Sequence, residues 1–144
     1  MNFKRIFSLR EDSDLSQKYM GDLCNVSRAA ISQWETCKEV IPLTKLNIYA
    51  NFFNVSMDYI LGLTNIKNYN FSKKELDRKI VGERLRLFRK EKNITQLELA
   101  KLLNTSHSTI SAYESGKTLI LTSFAYQIAK HYQVSVDWIC GRIN

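Results

Sequence analysis

The chain has 144 residues, of which 44% are hydrophobic and 24% charged, and its formal net charge is +7. This composition is ordinary for a globular protein and excludes disordered, fibrous and membrane-spanning classes. The apolar runs are far shorter than the roughly 18 residues of a spanning helix. The N-terminal stretch turns acidic at residues 11–14, too soon for a signal peptide. We therefore expect a cytoplasmic protein that does not bind membranes.

Serine caps mark the helices of the N-terminal half. Ser16, Ser27 and Ser56 each precede residues with helical apolar spacing, as an N-cap residue does. The pattern predicts helices and no strand in this half.

The longest predicted helix opens the C-terminal half. Ser72 and Glu75 match a capping box, and apolar residues follow at helical spacing, so a helix is expected over about residues 73–92. Thr95 with Glu98 matches another capping box and begins a short helix that ends near residue 104.

Three more predicted helices complete this half. Ser106 is a suitable N-cap for a helix that ends at Gly116, since glycine favours a C-cap. A further helix runs through residues 124–132. Ser135 caps the last one, in which Asp137 lies in the first turn and interacts favourably with the helix dipole.

The two halves are copies of each other at an offset of 79 residues. Residues 2–65 align without a gap with residues 81–144, and 18 of the 64 aligned pairs are identical. A fixed period signals a repeated structural unit. The sequence therefore predicts an all-α fold of two five-helix units, residues 1–65 and 80–144. Residues 66–79 are assigned to a basic linker and the start of the long helix.

The third helix of each unit is unusually polar. "NTSHSTISAYESGK", from Asn104 to Lys117, buries only a narrow seam through Ile110 and Tyr113, and "NVSRAAISQWETCK" is its copy. The remaining side chains are short, mostly uncharged and able to form hydrogen bonds. This pattern indicates a helix that enters another molecule.

Catalytic and metal sites are not indicated. Cys24, Cys37 and Cys140 have no cysteine counterparts in the repeat, and no Cys/His ligand spacing occurs. No nucleophile with a base and no carboxylate pair stand together. The chain is therefore not expected to be an enzyme or to bind a metal or cofactor.

The positive charge is distributed unevenly. Residues 1–65 carry seven cationic and seven acidic side chains, residues 66–79 carry five and two, and residues 80–144 carry nine and five. A basic half favours a polyanionic partner, and an ordinary solvated surface is the alternative.

Longer segments resemble a known family. "TQLELAKLLNTSHSTISAYESGK" with "YQVSVDWICG", and "SQKYMGDLCNVSRAAISQWETCK" with "FNVSMDYILG", resemble the helix-turn-helix of the lambdoid phage repressor/Cro family, also called the XRE family. The resemblance covers about 64 residues in each half. It implies two tandem five-helix, Cro/C1-type DNA-binding domains. In such domains the third helix lies in the major groove of double-stranded DNA and the second crosses the backbone.

The resemblance also implies roles for particular residues. Base-reading positions fall at Arg28, Ala29, Gln33, His107, Ser108 and Ala112. Phosphate-contacting positions fall at Ser16, Gln17, Thr36, Lys38, Thr95, Gln96, Ser115 and Lys117. Simple helix capping is the alternative for the residues that begin the second helices. The pairs Arg10 with Glu35 and Arg89 with Glu114 are expected to be structural ion pairs.

The two sets of base-reading residues differ in chemistry. Arg28 suits a guanine and Gln33 an adenine, whereas His107 and Ser108 are less selective donors and Ala112 suits only a thymine methyl. We therefore hypothesise that the first unit discriminates sequence while the second unit and the linker supply electrostatic attraction. Because the first unit is neutral, binding of a protein instead stays open.

The expected function is that of a sequence-specific transcriptional regulator, and first of all a repressor. The alternative is an antitoxin or interaction module, with one unit on DNA and the other on a partner protein. For the assembly on DNA, a homodimer and an intramolecular pseudo-dimer both stay open. Leu87 marks either an inter-unit or subunit contact or a scattered surface leucine.

Overall fold

The computed structural model describes all residues from 1 to 144. It contains ten helices and no strand, which confirms the predicted all-α fold. The chain divides into a first unit, Met1–Phe71, and a second unit, Ser72–Asn144, with five helices each. No helix combines the length and the apolar character needed to cross a bilayer.

The first unit follows the predicted plan. Its helices are α1 (Lys4–Asp12), α2 (Gln17–Cys24), α3 (Arg28–Glu35), α4 (Leu43–Phe53) and α5 (Met57–Ile60). The hydroxyls of Ser16, Ser27 and Ser56 each accept a hydrogen bond from the backbone amide three residues further on. These caps satisfy amides that have no partner within the helix, and their prediction is confirmed.

The second unit repeats this arrangement. Its helices are α6 (Arg78–Glu91), α7 (Gln96–Leu102), α8 (His107–Glu114), α9 (Thr122–Tyr132) and α10 (Val136–Ile139). Thr95 and Glu98 form the predicted capping box, and Ser106 and Ser135 cap α8 and α10 as expected.

The beginning of the long helix was predicted wrongly. The capping-box pattern at Ser72 and Glu75 does not begin a helix, and α6 begins at Arg78 with Asp77 as its N-cap. The amide of Ser72 instead donates to the Arg142 carbonyl at 2.7 Å. The local pattern assigned Ser72 to a helix cap, but its backbone amide forms a tertiary hydrogen bond instead.

Along the chain, the boundary between the two units lies within the stretch that the sequence assigned to a linker. On the first side, the Ser56 amide donates to the Lys67 carbonyl at 2.6 Å. On the second side, Ser72 bonds to Arg142 as described. Each end of the stretch is thus hydrogen-bonded to its own unit.

Each unit has its own apolar core, contributed by all five helices. In the first unit Ile6, Met20, Ile31, Leu46 and Ile60 have no exposed surface, and in the second unit the same is true of Leu85, Leu99, Ile110, Ile128 and Ile139. Burying one such side chain contributes roughly 1.5–3 kcal/mol. By contrast, Leu87 on α6 is 57% exposed.

A glycine lets α6 cross the C-terminal end of α8 at short range. A Cβ atom on Gly82 would lie 2.5 Å from the Tyr113 carbonyl oxygen and 2.6 Å from that of Glu114. In the first turn of α6, Arg78 Nη1 donates to the Lys117 carbonyl at 3.2 Å. Together these contacts fix α8 against the longest helix of its unit.

Candidate nucleic-acid interface

The third helices, α3 and α8, are packed along one side only. Ile31 and Trp34 of α3 are buried, as are Ile110 and Tyr113 of α8. At about 100° per residue, positions 29 and 33 lie on the side of α3 away from its buried residues, and position 28 lies between the two sides. Each unit therefore holds its third helix by a narrow seam and leaves the other side uncovered by its own fold.

The predicted base-reading residues lie on the uncovered sides. Arg28, Ala29 and Gln33 are exposed on α3, and His107 and Ser108 are exposed on α8. Ala112 is half-buried. The first unit therefore presents one cation and one amide, and the second presents an imidazole and a hydroxyl.

Hydrogen bonds within the cap of α8 hold the Ser108 hydroxyl. Its Oγ lies 3.0 Å from the Oγ of Ser106, which also accepts from the Thr109 amide at 3.2 Å. The first unit has Ala29 at the position of Ser108, and the Ser27 hydroxyl accepts from the Ala30 amide at 3.1 Å. The Ser108 hydroxyl is thus oriented by its own helix.

An ion pair joins the first and third helices of each unit. Arg10 Nε donates to Glu35 Oε2 at 2.7 Å and Arg10 Nη2 donates to Glu35 Oε1 at 2.9 Å. Arg89 and Glu114 form the same two contacts at 2.7 and 3.0 Å. This bidentate geometry is the strongest form of the pairing, and the hydrogen bond to Glu35 raises the pKa of the Arg10 guanidinium.

The same carboxylates position two of the predicted phosphate-contacting residues. Gln17 Nε2 donates to Glu35 Oε1 at 3.1 Å, and Gln96 Nε2 donates to Glu114 Oε1 at 3.2 Å. One amide proton of each glutamine is used in this way, which leaves the second proton and the oxygen for another partner.

The remaining predicted phosphate-contacting residues differ in whether their side chains form hydrogen bonds within their own unit. Ser16 and Thr95 accept from backbone amides as helix caps. Thr36 Oγ1 and Ser115 Oγ donate to carbonyls of the preceding turn, at 2.8 and 3.1 Å. Each of these hydroxyls already has a partner within its unit. Lys38 and Lys117 are exposed just beyond the third helices.

An open cleft in the second unit brings several of these positions together. It is lined by the C-terminal end of α6, the turn that follows and the N-terminal residues of α7 and α8, including Arg89, Lys90, Asn93, Thr95, Gln96 and His107. The cleft thus joins two predicted phosphate contacts and one predicted base-reading residue to Lys90, a cationic side chain that the sequence did not single out.

Several structural residues were missed from the sequence. Arg5 donates to the Tyr59 carbonyl at 2.6 Å, and Arg84 repeats this contact with Trp138. Their identity across the repeat was the available signal. A buried pair, Arg142 Nε with Asp137 Oδ1 at 2.9 Å, has no such signal because leucine stands at the aligned position of the first unit.

Comparison with known proteins gives a family model and a relative, and both are of the helix-turn-helix type. A sequence model of the family described as helix-turn-helix matches the chain twice, over residues 6–60 and 85–139. The chain is also similar to the uncharacterized HTH-type transcriptional regulator YobD of Bacillus subtilis (strain 168). The identity is 30% over 76 residues, which are 53% of this chain and 68% of that protein. No solved structure matches.

Proposed function

The chain belongs to the helix-turn-helix family of DNA-binding transcription regulators, and from this premise we propose that it is a repressor that binds a specific double-stranded DNA site. The third helix of one or both units enters the major groove. There it reads base edges, while the residues around it contact phosphates.

The observation that carries this proposal is the uncovered side of the third helices. Arg28 and Gln33 are exposed while Ile31 and Trp34 anchor the same helix from behind. Arginine pairs bidentately with guanine and glutamine with adenine, and each good pair is worth about 1–3 kcal/mol of discrimination. We assign Lys38 and Lys117, which are exposed beyond the ends of these helices, to phosphate contacts that set the register without reading sequence.

The test begins with selection of bound duplexes from a random pool. Affinity of the full chain for the selected site and for random duplex is then measured for wild type, Arg28→Ala and Lys38→Ala. We expect Arg28→Ala to weaken the affinity for the selected site at least tenfold and to leave the affinity for random duplex almost unchanged. Lys38→Ala should weaken the affinity for both duplexes by the same factor. Equal loss on both DNAs for Arg28→Ala would refute base reading by this residue.

The direction of regulation needs a separate measurement. Transcription in vitro from a promoter that overlaps the selected site should fall as the protein is added, because a bound protein excludes the polymerase. A promoter with a scrambled site is the control. A rise in transcript from the intact promoter would contradict the repressor assignment.

An apolar surface of the first unit favours a second candidate, an interaction module such as an antitoxin. Tyr19 on α2 and Phe52 on α4 are 46% and 42% exposed, and their ring centroids lie 6.1 Å apart. The aligned residues of the second unit are Glu98 and His131. A small basic enzyme that co-purifies with wild type but not with Tyr19→Glu would support this function.

A further inference from the structure

The turns between the first and second helices of the two units carry opposite charge. We call residues 11–14 the α1–α2 corner and residues 90–93 the α6–α7 corner. The first reads Glu-Asp-Ser-Asp and the second Lys-Glu-Lys-Asn. All eight side chains are exposed. The first corner therefore carries three negative charges, and the second carries a net positive charge.

The backbones of the two corners are the same. The Asp14 amide donates to the Glu11 carbonyl at 3.0 Å, and the Asn93 amide donates to the Lys90 carbonyl at 3.1 Å. Asp14 and Asn93 both have φ of 56°, a left-handed conformation that aspartate and asparagine tolerate better than most residues. Charge, and not shape, distinguishes the corners.

Each corner adjoins the residues expected to contact phosphates. In the second unit Lys90 and Asn93 line the cleft that also contains Thr95, Gln96 and His107. In the first unit the residue aligned with Lys90 is Glu11, whose carboxylate lies 3.9 Å from Arg10. A DNA strand that followed the same path on the first unit would pass an acidic side chain where the second unit offers a lysine.

The second helices do not add to this contrast. Each of α2 and α7 carries one lysine and one carboxylate, so the difference in charge lies in the corners. The Debye length at physiological salt is about 8 Å, so exposed charges beside a phosphate contact still act on the phosphates. Cations that neutralise phosphates release counterions and strengthen binding, and anions at the same place oppose it.

We propose that the second unit is the one through which the chain holds the DNA backbone, and that the acidic α1–α2 corner prevents the first unit from holding it in the same way. This inference rests on the proposed function and goes further by assigning the stronger phosphate grip to one unit. Lys90 and Asn93 become phosphate-contacting residues. Arg28 and Gln33 of the first unit then contact bases while the second unit holds the protein on the DNA backbone.

The test exchanges the corners in the full chain. One variant, Lys90→Glu with Asn93→Asp, gives the second unit the residues of the first. The other, Glu11→Lys with Asp14→Asn, does the reverse. Every introduced residue already occupies the aligned position on the same backbone, so both variants are expected to fold, which a thermal unfolding curve checks.

Affinity for a duplex selected from a random pool is measured over a range of salt. We expect the first exchange to weaken binding at least tenfold near 0.1 M salt and to lower the slope of log affinity against log salt by about 1 or more. The second exchange should strengthen binding at least threefold and raise the slope. A loss below threefold in the first exchange, or no gain in the second, would overturn the inference.

A matched control separates position from total charge. Lys130→Glu with Gln127→Glu changes the net charge as much as the first exchange, but these residues line a different cleft, and less than threefold weakening is expected. Weakening equal to that of the first exchange would show a net-charge effect and overturn the inference. If wild type binds no duplex from the pool, the proposed function itself fails; if it binds and only the exchanges disagree, this inference alone fails.

Discussion

Gly82 on α6 lies so close to Tyr113 on α8 that a Cβ atom at Gly82 would stand 2.5 Å from the Tyr113 carbonyl oxygen. Gly82→Ala should therefore destabilise the second unit by about 1–3 kcal/mol, since overpacking against backbone outweighs the helical preference of alanine. Glu83→Ala, at the next and exposed position, is the control and should change little.

Each unit contains one tryptophan, which allows the units to be followed separately. Trp34 lies in the first unit and Trp138 in the second. In a Trp34→Phe background, urea unfolding followed by fluorescence reports the second unit alone. An unchanged midpoint for Gly82→Ala in that background would contradict the close crossing of α6 over α8.

Loss of Arg10 should destabilise the first unit strongly. The side chains of Arg10 and Glu35 are only 9% and 3% exposed, and removal of one partner leaves a buried charge unpaired. For Arg10→Ala we expect a loss of about 3–5 kcal/mol, measured by urea unfolding of the Trp34 signal. The double change Arg10→Met with Glu35→Leu should recover much of this loss; a single variant as stable as wild type would disprove the role.

Cys37 has a backbone conformation that suits glycine better. Its φ is 61°, and Gly116 at the aligned position has φ of 78°. Cys37→Gly should stabilise the first unit by about 0.5–1 kcal/mol, because a left-handed conformation is costly for residues with a Cβ atom. Cys37→Ala should have almost no effect, which separates backbone strain from the thiol. The measurement is the urea midpoint of the Trp34 signal, and a fall for the glycine variant would count against strain at this position.

The stability of the first unit should fall in alkaline solution partly through Cys24. Burial raises the pKa of this thiol from 9.0 to about 11, against an opposing effect of Lys45. The unfolded thiol ionises first, so its contribution to stability is complete below pH 9 and is lost as the pH rises toward 11. The gap in unfolding free energy between wild type and Cys24→Ala should shrink by roughly 1–2 kcal/mol between pH 8 and pH 10.5. A constant gap would contradict the burial of the thiol.

Local sequence was sufficient to predict the caps and most helices. Ser27 and Thr95 act on amides within one turn, so the residues that determine a cap lie side by side in the chain. The beginning of α6 could not be obtained in this way, because the amide of Ser72 is taken by Arg142, 70 residues away. Rules based on neighbouring residues cannot predict a helix boundary that depends on a tertiary partner.

The candidate site shows the same limit. The repeat and the family resemblance indicated which side chains stand on the third helices, and they suggested partners for Arg10 and Arg89. They did not indicate that Gln17 and Gln96 donate to the same glutamates, nor that Lys90 shares a cleft with His107. Those relations depend on how helices pack, and the charge of the corners gains meaning only when their position beside the predicted phosphate contacts is known.

Because Asp14 and Asn93 occupy one backbone conformation, either copy can exchange its corner side chains for those of its sister without rebuilding the turn. Substitutions there alter electrostatics while the hydrophobic cores stay untouched. After a duplication, the strength with which each copy would hold a polyanion could thus diverge at little cost to folding.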